Sequence, residues 1–401
     1  MKKPALILFL ALPVYAFAGT SKDTAQPAES KSNSGDWCQS LSGEPGLLHE
    51  NAENPWIDKV LITGRFHYQA GRVSGNDVRG NDFSESFDEY RRARIEAEID
   101  FLRYFEIEVG VNMVDDSRYQ AEPPNDLDWG YDTFDTATFS FNLGEAFGRG
   151  PLDDIKLHYG RMKIRVSEEI HTSSNRIKTI ERSSLADKLG GEQSRPTGAL
   201  LELVKGPWEM NLGIYSGEDD SEFVGGWNDG EIYYTSIAWR ATDDLRFVLD
   251  HVQNHQSGED DALGYAQATS LATVYERKKW GAMLNLITGD NGGAGNGFTV
   301  PERQGDFHGA IIMPWYWIAK ERLQVVARYQ YARSDEMEGL RLDSRYIRAQ
   351  HTPPDPDLDN GYGDENHSVY LGLNYFLCGD NAKIMGGVSY DNMSARTDNI
   401  E

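Results

Sequence analysis

From Arg92 to Phe101 the chain alternates without a break: Ala93, Ile95, Ala97, Ile99 and Phe101 take every second position, and Arg92, Arg94, Glu96, Glu98 and Asp100 fill the places between. Side chains repeat every two residues in a strand and every 3.6 in a helix, so a helix would scatter both sets around its circumference. The next segment repeats the pattern, with Phe105, Ile107, Val109, Val111 and Met113 against Glu106, Glu108 and Asn112. Both segments are predicted strands with one apolar and one charged face.

Similar stretches recur near 60–70, 133–143, 155–163, 197–205, 208–215, 231–240, 245–254, 267–278, 280–288, 307–317, 323–333, 368–377 and 382–390. That makes about fifteen strands, each near the length a tilted strand needs to cross a bilayer. Their connections sort by length. Long polar segments (71–88, 115–132, 217–230, 256–264, 289–306, 334–367) alternate with brief turns near Leu102-Arg103, Lys205-Gly206-Pro207, 241–244, Lys278-Lys279 and 378–381. Long outer loops opposite short periplasmic turns mark an outer-membrane barrel, whereas a soluble sandwich has no reason to sort them.

The sequence therefore predicts an all-β fold, an antiparallel transmembrane β-barrel of about sixteen strands over residues 58–391. An odd strand count leaves two edges unpaired in lipid. Residues 392–401 are polar with no terminal aromatic, so a last strand is expected to be missing from the sequence; the other reading is a count off by one.

The chain begins with an address. Lys2 and Lys3 precede an apolar run from Ala5 to Ala16, and Ala16-Phe17-Ala18 is a cleavage motif. Residues 1–18 are read as a signal peptide, with the mature protein starting at Gly19. Residues 19–57, rich in Ser, Lys, Glu, Asn and Gly, are read as a loosely structured periplasmic segment. An exported chain meets an oxidising compartment, so Cys38 and Cys378, both on the periplasmic side, are either a disulfide or two free thiols. The net charge of −25, from 39 Lys+Arg against 64 Asp+Glu, excludes nucleic acid as a partner. Acidic runs such as 259–261 and 355–359 read as solvated loop surface.

Several stretches resemble the phosphate-selective porin O and P family. They are Tyr159-Gly160-Arg161-Met162-Lys163, then Thr172-Ser173-Ser174, then Thr179-Ile180-Glu181-Arg182-Ser183, with Gly64-Arg65-Phe66, Tyr90-Arg91-Arg92-Ala93-Arg94, Phe134-Asp135 and Leu371-Gly372-Leu373-Asn374-Tyr375. The resemblance implies a trimeric barrel of sixteen strands in the bacterial outer membrane, with a long third loop folded into the pore. It also implies passive diffusion of small hydrophilic solutes, favouring phosphate or other oxyanions. Its partners are then outer-membrane lipid, small hydrophilic or anionic solutes, and two further copies in a homotrimer.

In such a pore, basic groups and hydroxyls replace the water shell of an oxyanion. Carried over position by position, this implies Arg65, Arg91, Arg92, Ser173 and Ser174 at the constriction, with Asp135 as a nearby acid and Arg161 and Lys163 as further anion-binding candidates. Arg65 shares the polar parity of His67 and Gln69, and Arg92 lies on the polar face of its strand. Arg91 falls on the apolar parity, so it reaches the pore only from a bulge; otherwise it is an interfacial arginine.

Two features depart from the pattern. Ile170, after Glu168-Glu169, stands where the family places its pore lysine, with Lys163, Arg165, Arg176 and Lys178 nearby. Glu96, Glu98, Glu106 and Glu108 share a lumenal face, which favours the alternative of a general or cation-tolerant porin.

Rival readings leave fewer traces. No GxSxG elbow frames a nucleophile, and His251 and His255 lack the glutamate of a helical HExxH, so an enzyme is not expected. No metal-binding or cofactor motif is found; the glycines of 292–297 follow no βα pattern. A soluble secreted β-rich binding protein would carry charge on both strand faces, and a plugged barrel would differ from a porin only in conductance.

Overall fold

A computed structural model describes residues 5–10, 38, 41, 46–114, 133–190, 194–217, 225–227, 230–255, 262–292, 305–342 and 361–395. Its main element is one 17-stranded sheet. Two of these strands are short; the other fifteen follow one another in chain order. They are β1 (Ile57–Asn76), β2 (Asp82–Phe101), β3 (Phe105–Asn112), β4 (Thr133–Asn142), β5 (Asp154–Arg161), β6 (Thr197–Lys205), β7 (Trp208–Ser216), β8 (Glu231–Thr242), β9 (Leu245–Asn254), β10 (Gln267–Glu276), β11 (Trp280–Asp290), β12 (Asp306–Ala319), β13 (Leu323–Ser334), β14 (Glu365–Phe376) and β15 (Lys383–Ser394).

Each strand pairs antiparallel with the next, from β1 to β15. A single-turn helix, α1 (Leu143–Phe147), follows β4, where the Asn142 side chain accepts from the Glu145 amide at 2.9 Å.

The two faces separate as the alternation requires. Asn142, Lys156, Glu202, Asn211, Ser236, Asp250 and Ser270 are paired in succession across seven strands and form one inward polar row. On the outward parity Leu212, Leu249, Leu271, Leu284, Leu286, Ile312, Leu371 and Leu373 are exposed. So wide an apolar surface is unfavourable in water and matched by lipid.

Aromatic rings gather on that face beside the short turns, Phe105 against Phe141 at 4.7 Å, Trp208 against Trp239 at 5.3 Å and Tyr275 against Trp280 at 4.9 Å. Such rings suit the membrane–water boundary. Among the described residues no helix is long and apolar enough to cross a membrane; the strands do so.

β15 and β1 do not pair with each other. Ala5–Leu10 runs antiparallel to β15 over Gly386–Asp391 and to β1 over Ala70–Arg72, while Leu47–Glu50 pairs with β1 between Lys59 and Leu61. Among the described residues the seam is therefore bridged over part of its height and not closed by a spanning strand. Ala5–Leu10, the described part of the apolar run read as the core of a signal peptide, lies in this seam, where two open edges offer N–H and C=O groups.

One expectation needs correction. Residues 71–88 are not a loop: β1 and β2 continue as one hairpin to a turn at 77–81, with Ser74 opposite Ser84 and Gly80 at φ 84. The extension holds because Val73 is fully buried and Phe83 and Phe87 pack with it against the core, which the polar residues between them conceal in the sequence. Two contacts tie described residues of the N-terminal segment to the turn before β15. Cys38 and Cys378 form a disulfide with Cα atoms 5.5 Å apart, and the Leu41 carbonyl accepts from Asn381 Nδ2. The cleavage motif, the acidic runs 259–261 and 355–359, most of the glycine run 292–297, the loop 115–132 and residues 396–401 lie outside the described residues.

Candidate functional site

After β5 the chain turns into the barrel instead of leaving it. Ile164, Val166, Ile170, Ile180, Leu185 and Leu189 of this inward loop are buried in one cluster with Tyr215, Tyr234, Val252, Ile287 and Phe307 of the wall. The loop carries two short helices, α2 (Glu168–His171) and α3 (Ser184–Leu189), the second capped by Ser183, whose Oγ accepts from the Ala186 amide at 3.2 Å.

Backbone polar groups inside a barrel need partners, and the wall supplies them. The Ser167 amide donates to Asp250 Oδ2 at 3.0 Å, the Glu168 amide to Asn285 Oδ1 at 3.1 Å and the Leu185 amide to Gln330 Oε1 at 2.9 Å. Asn374 Nδ2 donates to the Lys178 carbonyl at 2.8 Å, and Lys383 Nζ to the Asn175 carbonyl at 2.6 Å and that of Ile177 at 2.9 Å. The loop is thus seated on the arc from β9 to β15.

The arginines expected at the constriction meet this loop. The β1–β2 register slips between His67 and Tyr68: His67 lies opposite Arg92, Tyr68 opposite Tyr90, and Arg91 is the extra residue. Arg91 therefore sits in a β-bulge and turns inward despite its parity, as the sequence required of a pore-reaching Arg91. Its Nε donates to Glu181 Oε1 at 2.6 Å, and Arg92 Nη2 lies 3.6 Å from Glu181 Oε2. Gln69 Nε2 donates to the same carboxylate at 3.1 Å. Arg65 Nη1 donates to Ser174 Oγ at 2.8 Å and is ion-paired with Glu96. Asp135 is held between Arg94 at 2.6 Å and Arg195 at 2.7 Å, each guanidinium giving it a charge-assisted hydrogen bond.

The remaining candidates are less central. Ser173 is half-buried on the loop, and Lys163 lies within electrostatic reach of Asp187 and Asp135. Arg161 shares the parity of exposed Leu157 and Tyr159, and its Nε donates to the Phe134 carbonyl at 2.7 Å, away from the Glu181 cluster. Ile170 is 4% exposed in the loop's apolar core, so it replaces no pore charge.

Sequence reasoning named Asp135 and Glu96 but missed the other carboxylates that hold the arginines. Glu181 was legible only as part of a motif, and Glu169, which accepts from Arg328 Nη1 at 3.0 Å and from the Ser183 amide at 3.2 Å, carried no signal beyond its abundance. Arg94 and Arg328 could have been found, because both fall on lumenal parity.

The other arc is acidic. Glu98 pairs with Lys59 at 3.3 Å, and Glu98, Asp100 and Glu106 bring carboxylate oxygens within 4.8 Å of one another, an arrangement able to hold a cation. Lumen-facing residues there, among them Glu96, Glu106, Glu108, Lys156, His158 and Glu202, are only partly buried.

Residues 60–230 match the model of the family described as phosphate-selective porin O and P. No curated protein matches the chain. Similar solved structures include the outer membrane channel DcaP of Acinetobacter baumannii, at 10% identity over 86% of this chain and 100% of that one with a TM-score of 0.49. OmpT of Vibrio cholerae is 10% identical over 83% and 97%, with a TM-score of 0.47. Salmonella typhi OmpF, in complex with daunomycin, is 10% identical over 86% and 100%, with a TM-score of 0.48. The family match spans 171 of the 401 residues, less than half of the chain, and falls on the strands and the inward loop that carry the constriction candidates.

Proposed function

We propose that this outer-membrane channel passes small hydrophilic solutes by diffusion as a general, cation-tolerant porin. The observation that carries this reading is the pairing of the constriction arginines. Arg91 and Arg92 meet Glu181, Arg65 meets Glu96, and Arg94 meets Asp135. A guanidinium already bonded to a carboxylate has less field and fewer free donors for a passing oxyanion. The partly buried acids of β2 and β3 add negative potential to the lumen.

A preference for phosphate is the second reading, favoured by two buried guanidinium nitrogens, Arg65 Nε and Arg94 Nε, that have no hydrogen-bond partner among the described residues. In that reading Arg65, Ser173 and Ser174 offer donors to the ion. Removal of residues 1–18 on export and assembly as a homotrimer in lipid are part of the proposal, carried over from the leader-like start and the family resemblance.

Planar-bilayer recording tests the reading. Discrete conductance steps are expected, with a reversal potential in a KCl gradient that shows no strong anion preference and no block by millimolar phosphate. Strong anion preference with phosphate block would establish the second reading; absence of steps would overturn both.

A further inference from the structure

The inward loop is buried almost throughout. Among its described residues, 162–190 and 194–196, Arg165 is the only one that is exposed. Its carbonyl accepts from Tyr234 Oη at 2.8 Å, which fixes the backbone to β8, while its guanidinium has no hydrogen-bond or ion-pair partner among the described residues. Long cations inside a protein are normally paired, so a lone one in a lumen marks where water is.

Burial of the wall locates that water. Facing β8 to β14, the loop leaves Ser236, Asp250, Ser270, Asn285, Gln330 and Asn374 at 0–1% exposure. Facing β2 to β6, Glu96, Glu106, Glu108, Lys156, His158 and Glu202 stay partly accessible, while Arg92, Asp135 and Ser140 are buried. The solute path therefore lies between the loop and the β2–β6 arc. Arg165 borders it from the loop side, and Glu108, His158 and Glu202 on the opposite wall are within its electrostatic reach.

We infer that Arg165 is the positive pole of the passage, set against Glu108 and Glu202, and that this pairing across water, rather than the arginines of β1 and β2, determines which ions pass. The inference rests on the porin reading above. A lone cation opposite carboxylates slows cations that would otherwise follow the acidic wall and sets up a transverse field in the narrow part of the lumen.

The test is a bilayer recording of Arg165→Gln in a tenfold KCl gradient. The cation-over-anion permeability ratio is expected to rise about threefold, since the charge removed is one that no carboxylate neutralises, and Glu202→Gln is expected to lower it. Lys320→Gln, at an exposed short turn where Lys320 pairs with Glu321, serves as the control and leaves the ratio unchanged.

A second variant, Arg165→Cys, keeps the question open to measurement if Arg165→Gln inserts poorly: a water-soluble, negatively charged thiol reagent added to open channels is expected to reduce the unitary current. An unchanged ratio in Arg165→Gln, or an unmodified current in Arg165→Cys, overturns the inference while wild-type steps leave the porin reading intact. Absence of steps in the wild type overturns the porin reading itself.

Discussion

Arg91 and Glu181 are joined across the lumen by two hydrogen bonds, Nε to Oε1 at 2.6 Å and Nη2 to Oε2 at 3.3 Å. The contact exists because one extra residue in β2 turns an outward position inward. Replacing Glu181 by Gln removes the partner of two buried arginines, an imbalance that costs about 3 kcal/mol of loop seating by analogy with other broken buried pairs. Bilayer recordings of Glu181→Gln are expected to show more anion permeation and noisier open states than the wild type, with the thermal unfolding of the barrel little changed. Unaltered noise and selectivity would argue that the loop is held without this pair.

Ile170 offers a sharper distinction between family pattern and local packing. Its Cδ1 lies 2.8 Å from where a Cβ on Gly190 would stand, in the apolar core that seats the loop. Ile170→Lys restores the family's residue but buries an ammonium without a partner, at a cost of several kcal/mol. The expected result is an unseated loop, seen as higher conductance and faster proteolysis within 162–190, and no phosphate block. Phosphate block in this variant would mean that the position faces the pore.

The Cys38–Cys378 bond ties the N-terminal segment to the turn between β14 and β15 across 340 residues. Closing so long a loop stabilises by about 4 kcal/mol or less, depending on residual structure in the unfolded chain. Mass spectrometry of the purified native protein is expected to find no alkylatable cysteine before reduction and two after it. The double variant Cys38→Ser/Cys378→Ser is expected to lose the heat-resistant gel band at a lower temperature with its conductance unchanged.

His171 gives the loop a pH dependence. Burial disfavours its charged form, but Asp250, whose Oδ1 lies 2.9 Å from Nε2, more than offsets this and holds the pKa above 6.5. A histidine raised in the folded state contributes stability that is complete below about 6.5 and lost as the pH climbs through the raised value. Open-channel noise is therefore expected to increase as the pH is taken from 6 to 9, and His171→Gln should remove the dependence. A flat profile in the wild type would show that the loop does not feel this charge.

Much of the barrel was legible in the sequence, because lipid enforces alternation more strictly than propensity does. Ala93, Ile95 and Ala97 announce β2, and Thr197–Lys205 needed no change at either end. The hairpin above β1 and β2 was not legible, since Val73 and Phe87 gain their burial from a cluster whose other buried members all lie beyond residue 160. The site was half legible. Parity gave Arg65 and Arg92, and the bulge needed for Arg91 followed from its wrong parity, but its carboxylate partner lies 90 residues further along the chain. Long-range pairing of that kind leaves no periodic trace. Arg165 could not be singled out either, because what marks it is the burial of everything around it.

The seating of the inward loop on β9 to β15 divides labour among the strands. Substitutions in that arc act on how firmly the loop is held, whereas substitutions at the partly accessible acids of the facing wall, such as Glu108 and Glu202, act on what flows past it. A pore built this way can be retuned for a new solute by exchanging charges on one side of the wall while the fastening on the other side stays intact.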